Sequence, residues 1–227
     1  LLSAAPAPGF GATRPMGLLR LFRVSPLGCV GIFLMGGVFS AIFAMVSVWG
    51  SLAGLSVRQI SLFIATIYIG GLILQFPIGW ISDRMDRRRL IFGVAAVGAV
   101  AMLPPVLADP GFGALLVIAL VIGGVANPLY SLLLAHTNDF LDQADMAGAS
   151  GALLFLNGIG AIAGPLITGW VMGQVGPRGF FLFVGAMLLL LVLYSAWRMT
   201  RRPGPAVADT GAFAIVVPTA SPVAVEA

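Results

Sequence analysis

The chain alternates between long continuous apolar stretches and short polar connections. A helix needs roughly 20 apolar residues to cross the hydrocarbon core of a bilayer, whereas the strands of a transmembrane barrel alternate in polarity over about ten residues. The continuous stretches therefore predict helices. They predict six membrane spans, over Leu27–Gly50, Gln59–Trp80, Leu90–Ala108, Gly113–Ala135, Gly148–Gln174 and Phe180–Trp197.

The composition agrees with a membrane protein. Hydrophobic residues make up 59% of the chain and charged residues only 9%, whereas a soluble domain carries about 25% charged residues. In a soluble protein, the net charge of +4 would suggest nucleic acid as a partner. Here the arginines lie at the ends of the predicted spans, so the expected partner is the lipid bilayer and not nucleic acid.

The distribution of basic residues predicts the orientation. All twelve are arginines, and only Arg58 and Arg178 lie in connections on one side of the predicted bundle. The others lie in the connection 81–89 and near the two chain ends. Because arginine-rich connections stay in the cytoplasm, both termini are predicted to be cytoplasmic. We expect an integral protein of a bacterial inner membrane.

The pattern divides the chain into three segments. Residues 1–26 are predicted to be a cytoplasmic linker that ends in a short amphipathic stretch, Met16–Val24, on the membrane surface. Residues 27–199 form the predicted six-helix domain. Residues 200–227 are rich in Pro, Ala and Val and have no stretch of membrane-spanning length. They are predicted to be a disordered cytoplasmic tail.

The connection between the second and third spans carries a recognisable motif. Residues 79–88 read Gly-x-x-x-Asp-Arg-x-Asp-Arg-Arg. This pattern resembles the loop signature of the major facilitator superfamily of transporters, Gly-x-x-x-Asp-Arg-x-Gly-Arg-Arg. A turn that only sets topology would explain the arginines, but not Gly79 and Asp83 at their spacing. Asp86 departs from the signature, which has glycine at that place.

The resemblance implies an all-α membrane fold of six transmembrane helices. Such a domain is one half of a transporter of this superfamily and is itself a three-plus-three inverted repeat. The implied function is transmembrane transport of a small solute by alternating access, with an N-terminal six-helix half of the same protein as partner. The substrate is not specified, and we predict no cofactor and no enzymatic activity. The alternative is a complete six-helix scaffold or assembly protein that acts as an oligomer.

In similar transporters the loop works as a conformational latch. The resemblance assigns that role here to Gly79, Asp83, Arg84, Arg87 and Arg88. Asp83 is expected to face the positive N-terminal end of a helix in the other half, braced by the arginines. Replacing Arg87 is expected to weaken the latch as replacing Asp83 does, but less if Arg88 or Arg89 takes its place.

Polar residues inside the spans are the candidate lining of a substrate cavity, because such groups avoid hydrocarbon. Interhelical packing is the alternative for each. The candidates are Tyr68, Gln75, Asn127, Tyr130 and Asn157. No acidic residue, arginine or histidine lies deep in a span, so any residue that couples transport to protons is expected outside this chain, or the protein is a facilitator.

Small residues mark helix contacts. Gly160, Gly164 and Pro165 resemble a Gly-x-x-x-Gly-Pro signature of some family members and are predicted to serve in gating or packing. Ser150 lies in a string typical of intramembrane serine proteases, but no histidine follows it to take its proton. We therefore predict no catalytic residues, and a lone His136 predicts no metal site.

Overall fold

The computed structural model describes residues 16–201. The start of the predicted linker and nearly all of the predicted tail lie outside the described residues. Within 16–201 the chain is helical and contains no strand. The helices are α1 (Leu18–Val24), α2 (Pro26–Ser40), α3 (Val46–Leu52), α4 (Val57–Ser82), α5 (Arg87–Ala101), α6 (Leu103–Leu107), α7 (Phe112–Asn138), α8 (Gln143–Val175) and α9 (Arg178–Arg201).

Six spans of this described part are long and apolar enough to cross a membrane. They are α2 with α3, then α4, α5 with α6, α7, α8 and α9. The six predicted spans are therefore confirmed, with ends that differ by a few residues. The largest difference is at α8, which begins five residues before the predicted Gly148. The carboxylate of Asp145 is tolerated in its first turn because Arg20 of α1 lies 2.7 Å away.

Two spans predicted as continuous helices are interrupted. A single π-helical turn, Ala41–Met45, separates α2 from α3. The third span breaks at Met102, between α5 and α6. Pro104 and Pro105 explain this second break, because a proline has no backbone N–H to donate and its ring collides with the preceding turn.

Two helix pairs pack backbone against backbone at glycines. In the α2–α8 pair, a Cβ added to Gly160 would lie 2.0 Å from the Phe33 carbonyl oxygen. In the α4–α7 pair, a Cβ added to Gly123 would lie 1.7 Å from the Ile67 carbonyl oxygen. No other residue fits at such distances, so glycines fix how closely these helices approach. We call the two contacts the α2–α8 seam and the α4–α7 seam.

The two seams are equivalent under a three-plus-three inverted repeat. Such a repeat exchanges the first span with the fourth and the second with the fifth. It therefore converts the α2–α8 seam into the α4–α7 seam. The glycine pair Gly36 and Gly37 of α2 matches the pair Gly123 and Gly124 of α7, and each pair packs on its partner helix. The bundle thus has the architecture expected of one transporter half.

An aromatic cluster closes one end of the bundle. The buried ring of Trp49 in α3 lies 4.8 Å from that of Phe63 in α4, between ring centroids. The same indole packs against Phe180 and Phe181 at the start of α9, at 5.5 and 5.0 Å. The first, second and sixth spans are therefore joined here. The opposite end, which holds the turns 83–86 and 139–142 and helix α1, is called the arginine-rich end.

The outside of the bundle is apolar. Large side chains such as Phe76, Ile162, Leu166 and Trp170 are about two-thirds or more exposed. In water, an apolar surface of this extent would cause association. In a bilayer the surrounding solvent is itself apolar, so this surface is the one expected to contact lipid.

Two glycines of α8 give a matched test of the α2–α8 seam. Gly160→Ala should destabilise the protein, since its new Cβ meets the backbone of α2, whereas nothing lies within 4 Å of a Cβ at Gly158. Gly158→Ala should be neutral or stabilising, because alanine favours a helix by up to about 1 kcal/mol over glycine. Thermal unfolding in detergent checks both. Equal melting temperatures for the two variants would contradict the seam.

Candidate functional site

A cavity of about 490 Å³ lies among four spans. The first, second, fourth and fifth spans contribute its walls, near the middle of each. This is the depth at which the central site of an inverted-repeat transporter is expected. The lining residues are Gly36, Phe39, Ser40, Phe43, Tyr68, Gly71, Leu72, Gln75, Asn127, Asn157 and Ala161.

Four of the five candidate residues from the sequence line this cavity: Tyr68, Gln75, Asn127 and Asn157. Tyr130 is not among them. Its ring is almost fully buried and packs edge-on against Phe39, with 5.9 Å between ring centroids. Tyr130 therefore stands behind a lining residue and supports its position.

The two asparagine side chains are held by backbone carbonyls. Asn127 Nδ2 donates to the Gly123 carbonyl oxygen at 3.3 Å, one turn earlier in α7. Asn157 Nδ2 donates to the Ile32 carbonyl oxygen of α2 at 3.5 Å. Gly71 leaves room for the Asn127 amide, since a Cβ there would lie 2.5 Å from Nδ2. Both amide nitrogens are thus directed at protein backbone.

Three aromatic rings form one wall of the cavity. Phe39 and Phe43 are one helical turn apart and stack with 6.0 Å between centroids. The Tyr68 ring of α4 lies 6.0 Å from that of Phe43. The two phenylalanines do not stand out in the sequence, because in an apolar span they look like lipid-facing or core residues. Their spacing of four residues, which places both rings on one helix face, was the available signal.

Gly160, Gly164 and Pro165 lie along the α2–α8 seam. A Cβ at Gly164 would lie 2.1 Å from Ser40 Oγ and 2.7 Å from the Gly37 carbonyl oxygen. Pro165 is inside α8 and half-buried. Since a proline cannot donate to the carbonyl four residues earlier, the backbone loses a bond at Ala161, beside the cavity. The glycines pack the helices, and the proline weakens α8 locally.

Arg87 is the centre of a network at the arginine-rich end. It is the first residue of α5, and it is buried. Its Nη1 donates to Asp139 Oδ1 and to the Ala135 carbonyl oxygen at the end of α7. Its Nε donates to Ser82 Oγ at the end of α4. One guanidinium thereby joins three spans.

Asp83 and Arg84 lie at the surface of the same end. Asp83 caps the C-terminus of α4 and stays 43% exposed at its side chain, with Oδ1 3.8 Å from Arg87 Nη2. Its N–H donates to the buried Gly79 carbonyl. Arg84 folds back, donating from Nη1 to the Trp80 carbonyl and lying 3.9 Å above the indole.

Asp86, where the signature has glycine, directly precedes α5. Its carboxylate accepts from the Arg88 N–H at 2.9 Å and from the Arg88 side chain at 2.8 Å, so it is an N-cap. Its φ of −56° requires no glycine. Burial alone would raise the pKa of Asp86, but the hydrogen bonds and charge of Arg88 outweigh it and hold the pKa below its usual value.

The three arginines after Asp86 have different surroundings. Arg87 is buried against Asp139, Arg88 is bonded to Asp86, and Arg89 is exposed. From the sequence it stayed open whether Arg88 or Arg89 could replace Arg87, and Asp139 was not named as a partner. The signal available was topological, because the ends of the second and fourth spans lie on the same side of the membrane.

Other polar residues considered in the sequence have local partners. Ser150 Oγ donates to the Met146 carbonyl of its own helix at 2.8 Å. The buried His136 ring packs edge-on against Phe140. Among residues 16–201, no three histidine, cysteine or acidic side chains are grouped so that they could hold a metal ion.

These features define an α-helical membrane transporter domain: six spans, two equivalent seams, a central cavity and the charged loop at one end. The sequence profile of the Major Facilitator Superfamily matches residues 27–225. The chain belongs to the Major Facilitator Superfamily and is an integral membrane protein.

Relatives in enteric bacteria agree. The uncharacterized MFS-type transporter YcaD of Escherichia fergusonii is 25% identical over 191 residues, which cover 82% of this chain and 48% of that relative. An uncharacterized MFS-type transporter of Enterobacter sp. (strain 638) is 24% identical over 197 residues, covering 86% of this chain and 50% of the relative. The chain therefore spans about half the length of the curated relatives it matches.

The Arg87 network predicts unequal roles for neighbouring arginines. Arg87→Ala leaves the buried Asp139 carboxylate without its arginine, and breaking a buried pair costs about 3–5 kcal/mol. Arg89→Ala, two positions away and exposed, should change stability by less than about 0.5 kcal/mol. Thermal unfolding in detergent measures both. Similar losses of stability for the two variants would show that the buried Arg87 network does not stabilise the fold.

Proposed function

We propose that the chain forms one half of a transporter that moves a small solute across the membrane by alternating access. The single observation that carries this proposal is the central cavity, because polar groups at mid-membrane depth are costly unless they face a partner or a ligand. Family membership supports transport in general. An oligomeric scaffold needs no such cavity and is not favoured.

The open face of the cavity requires a cover. Phe43 and Tyr68 are about half exposed although they line it. We infer that a second six-helix half, supplied by the same protein, completes the cavity. The relatives' length, about twice the matched region, supports this inference.

Asp83 is the proposed contact between the halves. Arg87 is committed to the interior, whereas the Asp83 carboxylate remains accessible at the helix end. There it can face the positive N-terminus of a helix in the other half, an interaction worth about 0.3–2 kcal/mol. Gly79, Arg84 and Arg88 shape and brace the turn. We propose that this latch holds the arginine-rich end closed.

We further propose that the arginine-rich end is cytoplasmic, in a bacterial inner membrane. The asymmetry of the arginines supports this orientation. It predicts that Gly111→Cys, in an exposed connection at the opposite end, reacts with an impermeant maleimide in sealed cells. Asp142→Cys, which is also exposed, should react only after permeabilisation. Both are made in a Cys29→Ser background, and the reverse result would invert the assignment.

Alternating access itself is tested without a known substrate. Gln75→Cys, also in Cys29→Ser, places a thiol in the cavity, and it should be reached from both sides of the membrane. Adding Asp83→Asn should raise labelling from the cytoplasmic side relative to the outside by about two- to thirtyfold, since the latch is weakened. Labelling from one side only in every variant would refute alternating access.

Asp142→Asn is the control for the latch. Asp142 is exposed at the same end, directly precedes α8 and makes no side-chain cap hydrogen bond. It should leave the labelling ratio unchanged. An equal shift for Asp142→Asn and Asp83→Asn would reduce the effect to a general loss of negative charge.

A further inference from the structure

We propose that the cavity binds organic cations of delocalised charge, such as aromatic phosphonium or ammonium compounds, in preference to anions. This inference rests on the proposed function, because it names the substrate class of the same site. It follows from three properties of the lining: the rings, the direction of the amides and the absence of fixed charge.

The aromatic rings of the lining favour a cation. Phe39, Phe43 and Tyr68 form a continuous aromatic wall, with successive centroids 6.0 Å apart. The face of an aromatic ring carries partial negative charge and attracts a cation within about 6 Å of its centroid. An anion placed against the same wall is repelled. Three rings in contact offer this attraction over an extended surface.

The two asparagine amides of the lining add hydrogen-bond acceptors, which also favour a cation. A carboxamide whose nitrogen donates to a backbone carbonyl must turn its oxygen away from that carbonyl. Both Asn127 and Asn157 are held in this way, through Gly123 and Ile32. With the nitrogen of each amide held by backbone, the oxygen, the negative end of the amide dipole, is the acceptor that remains for a ligand in the cavity. This orientation disfavours an anionic ligand and favours a cation or a hydrogen-bond donor.

The lining carries no charged side chain among the residues that the structure describes. A small, strongly hydrated ammonium would lose its water without gaining a carboxylate, which is costly in a low-dielectric site. A large cation with spread charge has less hydration to lose. The chemistry therefore points to a bulky organic cation, and the volume of about 490 Å³ leaves room for aromatic substituents.

Two ions of nearly equal shape and opposite charge test this proposal. Tetraphenylphosphonium and tetraphenylborate are each measured by equilibrium dialysis against the detergent-purified protein produced from its natural gene, with binding to empty micelles subtracted. We expect saturable phosphonium binding at least about tenfold tighter than borate binding. Equal or tighter binding of the borate, or no saturable phosphonium binding, would overturn the proposal.

Variants locate the binding. Phe43→Leu and Tyr68→Leu should weaken phosphonium binding by about two- to thirtyfold each, whereas Tyr68→Phe keeps the ring and should retain affinity. Phe76→Leu is the matched control, since Phe76 follows Gln75 in α4 but points outward, 70% exposed. Gln75→Glu adds a carboxylate to the lining and should tighten phosphonium binding. If Phe76→Leu weakens binding as much as Tyr68→Leu does, the site is not this cavity.

This dialysis requires no conformational exchange. If the two-sided labelling of a cavity cysteine succeeds and phosphonium binding fails, only the assignment of substrate class is wrong. If phosphonium binds at the rings and the labelling stays one-sided, the cation site stands and transport by alternating access fails.

Discussion

The close approach of helix backbones at the two glycine seams is the constraint on which the rest of this structure depends. Within a bilayer, burial of apolar surface does not drive helices together, since lipid tails are as apolar as leucine. Contact must come from packing, and packing is closest where side chains are absent. At Gly160 and Gly123 the neighbouring backbone occupies the space that a Cβ would need. Each seam joins two spans firmly, and the cavity lies between the joined pairs.

The charged side chains, in contrast to the glycine seams, lie at the ends of the bundle. The Arg87 guanidinium, at the start of α5, is bonded to side chains or carbonyls at the ends of α4 and α7, and so ties α5 to a helix pair that the seams alone do not connect to it. At the opposite end the Trp49 cluster performs the same task with rings. The bundle is thus held at both ends and along two seams, while the Asp83 side chain stays partly exposed at the arginine-rich end, where the contact with a second half is proposed.

The six spans were predictable because each is recognised by its hydrophobicity summed over about twenty residues. One break in the helix does not remove that signal. The π turn at Ala41–Met45 has no such signal, since its residues are apolar like their neighbours. The cavity candidates Gln75, Asn127 and Asn157 stood out because an amide is rare within a span. Phe39 and Phe43 did not stand out, because the sequence does not show whether a ring in an apolar span is buried or faces lipid. The partner of Arg87 required a contact between distant helices.

The uncharged middle and the charged ends have one physical cause. A fixed charge at mid-membrane depth costs several kcal/mol unless it is paired, so the proposed site, whose described lining carries no charged side chain, would recognise a ligand by quadrupoles and dipoles. Both have a sign. The rings of Phe43 and Tyr68 line the cavity and the amide nitrogens of Asn127 and Asn157 are held by backbone carbonyls, so in the proposed site each of these groups favours a cation. Because these groups come from four different spans, the preference for a cation is a property of the proposed site and not of one side chain.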